Sequence, residues 1–134
     1  MAAGARKTVV GNWKCNGLLA SLDEVRALIA ALDVEPATAR VGLCPPATLL
    51  HGAVRVAEGS VLEIGAQDVS ADGCGAHTGD LAAAMLADAG ARMVIVGHSE
   101  RRADRGETDA MVAAKARAAL AAGLEPIICV GETE

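Results

Sequence analysis

The feature that most constrains this chain is an alternation of short, mostly apolar runs with longer helical patterns. Each apolar run is three to six residues long and is followed by a glycine, a proline or a polar residue. Continuous apolar runs of this length are typical of strands that are covered on both faces. Strands are therefore predicted at residues 8–10, 41–44, 61–66, 93–96 and 127–130.

Helical patterns fill the stretches between these strands. Ser21 and Glu24 form an S-x-x-E pattern, which predicts a capping box at the start of the first helix. Pro45 and Pro46 stop the second strand and suit the first turn of the second helix, which ends at Gly59. Two more helices are predicted at residues 80–89 and 108–122. This order implies one α/β domain of five parallel strands, joined by right-handed crossovers through four covering helices.

The composition excludes several classes of partner. The chain has 134 residues, a formal net charge of −5, and one Trp as its only aromatic residue. A nucleic-acid partner is not expected, because single strands need aromatic stacking platforms and phosphate backbones need positive charge. A membrane partner is not expected either, because no apolar stretch approaches the roughly 20 residues of a membrane span. The first seven residues also lack the apolar core of a signal peptide.

The four cysteines are widely spaced along the chain. Cys15, Cys44, Cys74 and Cys129 form no C-x-x-C pair of the kind that holds zinc. A chain with 52% hydrophobic residues also has no need of a disulfide framework. We therefore expect free thiols, a reducing compartment and a cytoplasmic protein without a metal site.

Two polar residues follow the first strand. If the strand geometry continues beyond Gly11, Asn12 and Lys14 point to the same side of the chain. An ammonium group beside an amide suits an anionic, oxygen-rich substrate, because one supplies charge and the other directional hydrogen bonds. The alternative interpretation is a lysine that extends into solvent from the end of a strand.

A second polar cluster follows the fourth strand. Gly97 permits a sharp turn there, and Ser99 is predicted to cap a short helical turn. A histidine such as His98 beside a helix N-terminus meets positive dipole charge, which disfavours its protonated form. A neutral imidazole can then donate a hydrogen bond to a carbonyl oxygen where negative charge develops. The alternative is a capping segment with a solvated charge run. The other two histidines, His51 and His77, are interpreted as structural or exposed.

A glycine-rich loop over residues 68–80 follows the third strand. It lacks the G-x-x-x-x-G-K-[ST] pattern, and no G-x-G-x-x-G follows any strand, so a nucleotide-binding domain is poorly supported. Loops of this length inside a compact domain tend to be functional. A phosphate cradle and an outward projection toward a partner both remain open.

The segments at these places resemble the triosephosphate isomerase family. The matching motifs occur in the family's order along the whole chain. They are GNWKCNG at residues 11–17, GAQD at 65–68 with GAHTGD at 75–80, VGHSERR at 96–102 with GETD at 106–109, and CVGE at 129–132.

The resemblance implies a fold, a reaction and roles for particular residues. The family folds as a (β/α)8 TIM barrel and interconverts dihydroxyacetone phosphate and glyceraldehyde 3-phosphate through an enediolate, in glycolysis and gluconeogenesis, without a metal or organic cofactor. By resemblance, Asn12 and Lys14 bind the phosphorylated triose, and Lys14 stabilises its negative charge. By the same resemblance, His98 polarises the carbonyl and relays protons. Ser99 and Glu100 then support the site, with Glu100 paired to Lys14.

The resemblance also implies a mode of assembly. Family members usually form homodimers by inserting the third loop into the neighbouring subunit, and Thr78 is the residue that would approach the partner's site. His77 and Asp80 stand where the family carries Phe and Glu, so the tip of this loop is more polar.

The length is the largest departure from the family. A full barrel needs roughly 250 residues and eight strands, so residues 1–134 are expected to be the amino-terminal part of a TIM-barrel domain. In the family, the glutamate that takes the substrate proton, the closing lid and the glycine-rich phosphate loops all follow later strands. Glu132 and Glu134 are not expected to replace that general base, because neither lies in a motif that resembles its surroundings.

Two expectations follow for the isolated chain. It should be inactive or nearly so, because positioned general bases contribute about 10² to 10⁴ in rate. It should also self-associate or dock with a complementary barrel fragment, because it would expose a sheet edge and apolar side chains on its inner face. The alternative is a non-catalytic half-barrel that serves as a folding or assembly unit.

Overall fold

Five parallel strands form a single curved sheet in the computed structural model, which describes residues 4–131. The strands lie in the order of the sequence, and each pairs in parallel with the next. They are β1 (Thr8–Asn12), β2 (Arg40–Cys44), β3 (Glu63–Ala66), β4 (Met93–Val96) and β5 (Glu125–Ile128).

Helices occupy all four crossovers, so the α/β fold predicted from the sequence, a partial (β/α)8 barrel, is confirmed. The fourth crossover contains a short helix before its long one, where the sequence indicated only a helical turn. The helices are α1 (Leu22–Val34), α2 (Ala47–Ala57), α3 (Ala83–Asp88), α4 (Ser99–Arg105) and α5 (Asp109–Ala121).

The main core lies between the sheet and these helices. Strand β4 is buried along its whole length because it has a strand on each side and helices on its outer face. Val94 and Val96 from β4 and Ala119 from α5 are fully buried there. Aliphatic residues fill this layer, and Trp13, the one aromatic residue of the chain, is partly buried against it.

A smaller apolar cluster lies on the inner, concave face of the sheet. Its buried members are Cys44, Met93 and Ile95, with Val10, Ile127 and Cys129 packed beside them. Gly65 makes room for this cluster, because a Cβ atom there would lie 2.5 Å from Cγ of Met93. Apolar side chains on the inner face were predicted to be exposed. They are partly exposed only at the margins of that face, because the curved sheet buries those at its centre.

The predicted capping box at the start of α1 is wrong. Ser21 has helical backbone angles and makes no side-chain cap, because it ends a short 3-10 turn that continues directly into the helix. Its Oγ atom instead accepts a hydrogen bond from the backbone N–H of Leu18 at 3.0 Å.

The third strand and the third helix start later than predicted. β3 begins at Glu63 because Ser60 closes a turn after α2, donating to the carbonyl of Ala57 and accepting from the N–H of Leu62. α3 begins at Ala83 because the carbonyl of Leu81 accepts from the N–H of Ser70 across the long loop.

The fifth strand lies two residues earlier than predicted, and its register explains the difference. The N–H groups of Glu125 and Cys129 donate to carbonyls of Arg92 and Val96 along β4. The backbone nitrogen of Pro126 points the opposite way, toward the free edge of the sheet. A proline, whose nitrogen carries no hydrogen, is tolerated there because an edge strand needs no donor on that side.

Candidate active site

A cavity of about 280 Å³ lies at the carboxyl ends of the strands. Asn12 and Lys14 line it from the tip of β1, Gln67 from the tip of β3, His98 from the tip of β4 and Glu100 from the first turn of α4. Carboxyl ends are where parallel α/β folds gather functional groups. The structure thus brings together the residues that the sequence singled out after the first and fourth strands.

The turn after β1, rather than a continuation of the strand, directs Lys14 into this cavity. The strand ends at Asn12, so its geometry does not continue as assumed, but Asn12 and Lys14 still line the same cavity and Trp13 does not. Lys14 has a φ of 56° and is the one non-glycine residue with positive φ among residues 4–131. This left-handed conformation costs about 1–2 kcal/mol for a residue with a Cβ atom. The N–H of Lys14 donates to Oδ1 of Asn12 at 2.9 Å, which holds the turn.

Lys14 also meets the carboxylate that the sequence analysis paired with it. Its Nζ atom lies 2.6 Å from Oε1 of Glu100. The hydrogen bond from Lys14 holds the pKa of Glu100 below its ordinary value, so this carboxylate is charged at neutral pH. Both side chains are about half exposed, at 52% and 51%, and such ion pairs contribute little to stability. A bound anion can therefore share the ammonium group.

His98, and not Ser99 as predicted, caps the short helix α4. Its Nδ1 atom accepts a hydrogen bond from the backbone N–H of Glu100 at 3.1 Å. Ser99 is the first residue of the helix and is exposed. Because an accepting Nδ1 carries no hydrogen, the neutral ring holds its hydrogen on Nε2, which is left to donate to a ligand.

A group of paired charges beside the cavity, of which Glu107 and Lys115 are buried, was not predicted from the sequence. We call it the loop anchor; its members are Asp68, Arg101, Glu107 and Lys115. The Nζ atom of Lys115 lies 2.8 Å from Oδ1 of Asp68 and 3.0 Å from Oε2 of Glu107, and Arg101 bonds the same two carboxylates. Burial acts to raise the pKa of Glu107, but the hydrogen bonds from Lys115 and Arg101 outweigh it and hold this pKa below its ordinary value.

The loop anchor joins Asp68, at the start of the long loop, to α4 and α5. Residues 71–80 of that loop are exposed, including Thr78 and the two departures from the family pattern, His77 and Asp80. Asp68, Arg101 and Glu107 lie in three of the motifs quoted above, but no sequence pattern indicates that they meet Lys115 from the alanine-rich stretch that forms α5.

The remaining sequence expectations concern metals, membranes and thiols. Over the part of the chain that the structure describes, no group of three or more His, Cys, Asp or Glu side chains is placed to hold a metal ion. None of the helices within residues 4–131 is long and apolar enough to cross a bilayer. The four cysteines are free, and burial raises the pKa of the Cys44 thiol to about 12. Glu132 and Glu134 lie outside the described residues.

Comparison with known proteins assigns the family. The family model for triosephosphate isomerase matches residues 7–134. The chain belongs to the triosephosphate isomerase family. It is 59% identical over 128 residues to the triosephosphate isomerase of Caulobacter vibrioides, covering 96% of this chain and 51% of that protein. It is 60% identical over 128 residues to that of Ruegeria pomeroyi, covering 96% of this chain and 50% of that protein.

A solved member of the triosephosphate isomerase family has the same fold. The crystal structure of the Bartonella henselae enzyme superposes with a TM-score of 0.91 at 46% identity, covering 96% of this chain and 53% of that one. The chain thus spans about half the length of the relatives it matches.

Proposed function

We propose that residues 1–134 are the amino-terminal part of a TIM-barrel domain that acts as a triosephosphate isomerase. The reaction interconverts dihydroxyacetone phosphate and glyceraldehyde 3-phosphate through an enediolate, with no metal or organic cofactor. One observation carries the proposal: the ammonium group of Lys14, just after β1, and the imidazole of His98, just after β4, line the same cavity.

His98 is the electrophile of this reaction. Its Nδ1 is occupied by the N–H of Glu100, so Nε2–H donates to the substrate carbonyl and then to the enediolate oxygens in turn. A fixed donor aimed at an oxygen that gains charge lowers the barrier without reorganisation during the reaction. Ser99 supports the site as the first residue of α4, the helix that His98 caps.

Asn12 and Lys14 bind the phosphorylated triose. Oδ1 of Asn12 is engaged by the N–H of Lys14, which leaves the amide nitrogen Nδ2 to donate to a substrate oxygen. The ammonium group of Lys14 attracts the anionic substrate and stabilises the negative charge of the enediolate. Glu100 holds this ammonium in place until the substrate shares it.

The general base comes from a part of the barrel beyond these residues. Glu100 lines the cavity, but Lys14 holds its pKa below the ordinary value, and a carboxylate of low pKa is a weak proton acceptor. We therefore expect the 134-residue chain to be inactive or nearly so until complementary strands are supplied.

The same proposal extends to assembly and location. Strands β1 and β5 each pair on one side within residues 4–131, so a complementary fragment or a second copy can add to their free edges. In the whole protein, the exposed loop that contains Thr78 reaches the neighbouring subunit of a homodimer. The free cysteines are consistent with a reducing cytoplasm.

A non-catalytic half-barrel is the second candidate, because the centre of the inner face is already buried around Met93. Sedimentation at several concentrations separates the two candidates. Concentration-dependent association supports the proposal of free sheet edges that recruit other chains. A monomer with cooperative unfolding supports the self-contained assembly unit.

The catalytic proposal is tested with a hybrid enzyme. In the hybrid, this chain replaces the 128 matched residues of the Caulobacter vibrioides relative. We expect the hybrid to interconvert the two triose phosphates and the 134-residue chain alone to be inactive or nearly so. A folded hybrid without turnover, or a chain that alone matches the hybrid's rate, would contradict the proposal.

Lys14→Met in the hybrid tests the anion-binding role. We expect kcat/KM to fall about 10- to 100-fold, because a charge-assisted hydrogen bond to the substrate is lost. Lys7→Met is the matched control: this exposed lysine precedes β1 at the opposite end of the strand, and its removal changes the net charge equally. Equal losses from both variants would show a general charge effect and refute the role of Lys14.

A further inference from the structure

The side chain of Gln67 reaches from the tip of β3 to the turn that carries Lys14. Its Nε2 atom lies 2.8 Å from the carbonyl oxygen of Lys14, 3.0 Å from that of Cys44 and 3.4 Å from Oδ1 of Asn12. All three partners are acceptors, so the amino group of the amide must face them. Its two hydrogens serve the two shorter contacts, which are both to backbone carbonyls.

These contacts hold a residue in a conformation that it would not adopt by itself. Lys14 has a φ of 56°, in the left-handed region that lysine rarely populates. Asn12 accepts from its backbone N–H, and Gln67 donates to its backbone carbonyl. The strained residue is therefore clamped on both sides, as strained residues at functional sites must be to persist.

The alternative is that Gln67 only links the tips of β1 and β2, but this role does not explain its bond to Lys14. The carbonyl of Cys44 at the end of β2 also accepts from the backbone N–H of Trp13 at 3.1 Å. The link between the tips of β1 and β2 therefore persists without Gln67. What Gln67 adds is the bond to Lys14, whose ammonium group lines the same cavity as His98.

We infer that Gln67 is a positioning residue, whose amide holds Lys14 in its left-handed turn and so directs the Lys14 ammonium group toward Glu100 and the substrate. The catalytic part of this inference rests on the proposed function. Without the amide, the backbone of Lys14 relaxes toward negative φ, and its ammonium group moves away from the position 2.6 Å from Glu100. The substrate then loses its cationic contact although Lys14 is still present.

The conformational part is tested by NMR spectroscopy on the 134-residue chain. The φ-sensitive couplings and backbone chemical shifts of Lys14 are measured in the parent, in Gln67→Leu and in Asn16→Ala. Asn16 is the matched control, because its side-chain amide donates to the carbonyl of Trp13 in the same turn rather than to the carbonyl of Lys14.

We expect Lys14 to leave the left-handed region in Gln67→Leu and to stay there in Asn16→Ala. A Lys14 that keeps its positive φ in Gln67→Leu would overturn the inference. If the Leu variant does not fold, Gln67→Met repeats the test, because it keeps the length of the side chain and removes both donors. This measurement needs no turnover, so its result stands even if the hybrid enzyme is inactive.

The catalytic part is tested by steady-state kinetics in the hybrid enzyme. We expect Gln67→Leu to raise KM about tenfold with a smaller change in kcat, because the contact of Lys14 with the substrate anion is made in both ground and transition states. Asn16→Ala should change KM by less than about twofold, since Asn16 bonds the carbonyl of Trp13 and the bond from Gln67 to the carbonyl of Lys14 is kept.

A double-mutant cycle separates positioning from general stability. If Gln67 acts through Lys14, adding Gln67→Leu to Lys14→Met changes kcat/KM by less than about twofold. If the two losses multiply instead, Gln67 acts independently of Lys14 and the inference is wrong. A parent hybrid that turns over while Gln67→Leu leaves KM unchanged also overturns the inference and leaves the proposed function intact.

Discussion

The two ends of the sheet both join charged side chains across strands, but they differ in backbone strain. At the amino ends, Arg40 on β2 donates to Glu63 on β3 at 2.9 and 3.0 Å and to Glu125 on β5 at 2.8 and 3.2 Å. At the carboxyl ends, Lys14 reaches Glu100 only from a left-handed backbone. We call Arg40, Glu63 and Glu125 the base bridge.

The difference shows how this half-barrel divides stability and function between its two ends. The base bridge joins opposite charges on ordinary backbone and spans the concave face from β2 to β5, so it supports the curvature of the sheet. The carboxyl ends hold a strained residue, a half-exposed ion pair and a cavity. These features add little to the stability of the folded chain but suit the binding of a ligand. Substitutions at the two ends should therefore have different effects.

The largest effect on stability is expected at the loop anchor, beside the cavity. Glu107→Gln removes a carboxylate whose side chain is 2% exposed and which bonds both Lys115 and Arg101. We expect the free energy of unfolding to fall by about 2–3 kcal/mol, because the buried Lys115 and the partly exposed Arg101 both lose a charged partner. Urea denaturation of the 134-residue chain measures this change.

Glu58→Gln is the control for the loop anchor. Glu58 forms an exposed ion pair with Arg55 on α2, so its loss should cost less than about 0.5 kcal/mol. Equal effects of the two variants would show that burial does not govern the strength of these ion pairs.

The next effect concerns the strain at the carboxyl ends. Lys14→Gly should be about 1 kcal/mol more stable than Lys14→Ala, because glycine adopts a φ of 56° without steric cost. The same two substitutions at Lys7, which lacks a positive φ, should not favour glycine. Denaturation midpoints of the four variants check this, and an alanine variant at position 14 as stable as the glycine variant would show that the turn is unstrained.

The smallest effect is expected at the base bridge and depends on pH. The hydrogen bond from Arg40 holds the pKa of Glu63 below its ordinary value, so the bridge contributes fully above the unfolded-state pKa and loses its contribution as the pH falls through the folded-state pKa. Arg40→Met should therefore lower stability by up to about 1 kcal/mol at neutral pH. The difference from the parent should close as the pH falls below about 4.

Arg26→Met is the control for the base bridge. Arg26 pairs with Asp23 one turn away on the exposed face of α1, so its loss should change stability by less than about 0.5 kcal/mol. A difference between Arg40→Met and the parent that stays constant down to pH 2 would contradict the contribution of Glu63.

The order of elements and the residues at the strand tips could be predicted because they depend on local signals. Apolar runs bounded by glycine and proline mark the strands, and β4 has the predicted bounds, Met93–Val96. Polar residues directly after a strand must lie at the carboxyl edge of a parallel sheet, which is why Asn12, Lys14 and His98 lie together.

The details within the site depend on distances across the fold, which local patterns do not contain. The left-handed turn at Lys14 depends on Gln67, 53 residues away in sequence. The cap of α4 comes from His98 rather than Ser99 because the chain turns one residue earlier than the serine suggests. The base bridge joins Arg40 to Glu125, 85 residues apart, and no short motif encodes such a pair.

The carbonyl-polarising role of His98 is the central claim, and His98→Gln in the hybrid enzyme tests it most directly. His51→Gln serves as the control, because His51 is an exposed histidine on α2 outside the cavity. We predict that His98→Gln lowers kcat about 10²- to 10³-fold with a stability change of at most about 1 kcal/mol, since one preorganised donor and one helix cap are altered. A His98→Gln hybrid that folds and keeps the kcat of the His51→Gln control would contradict the account.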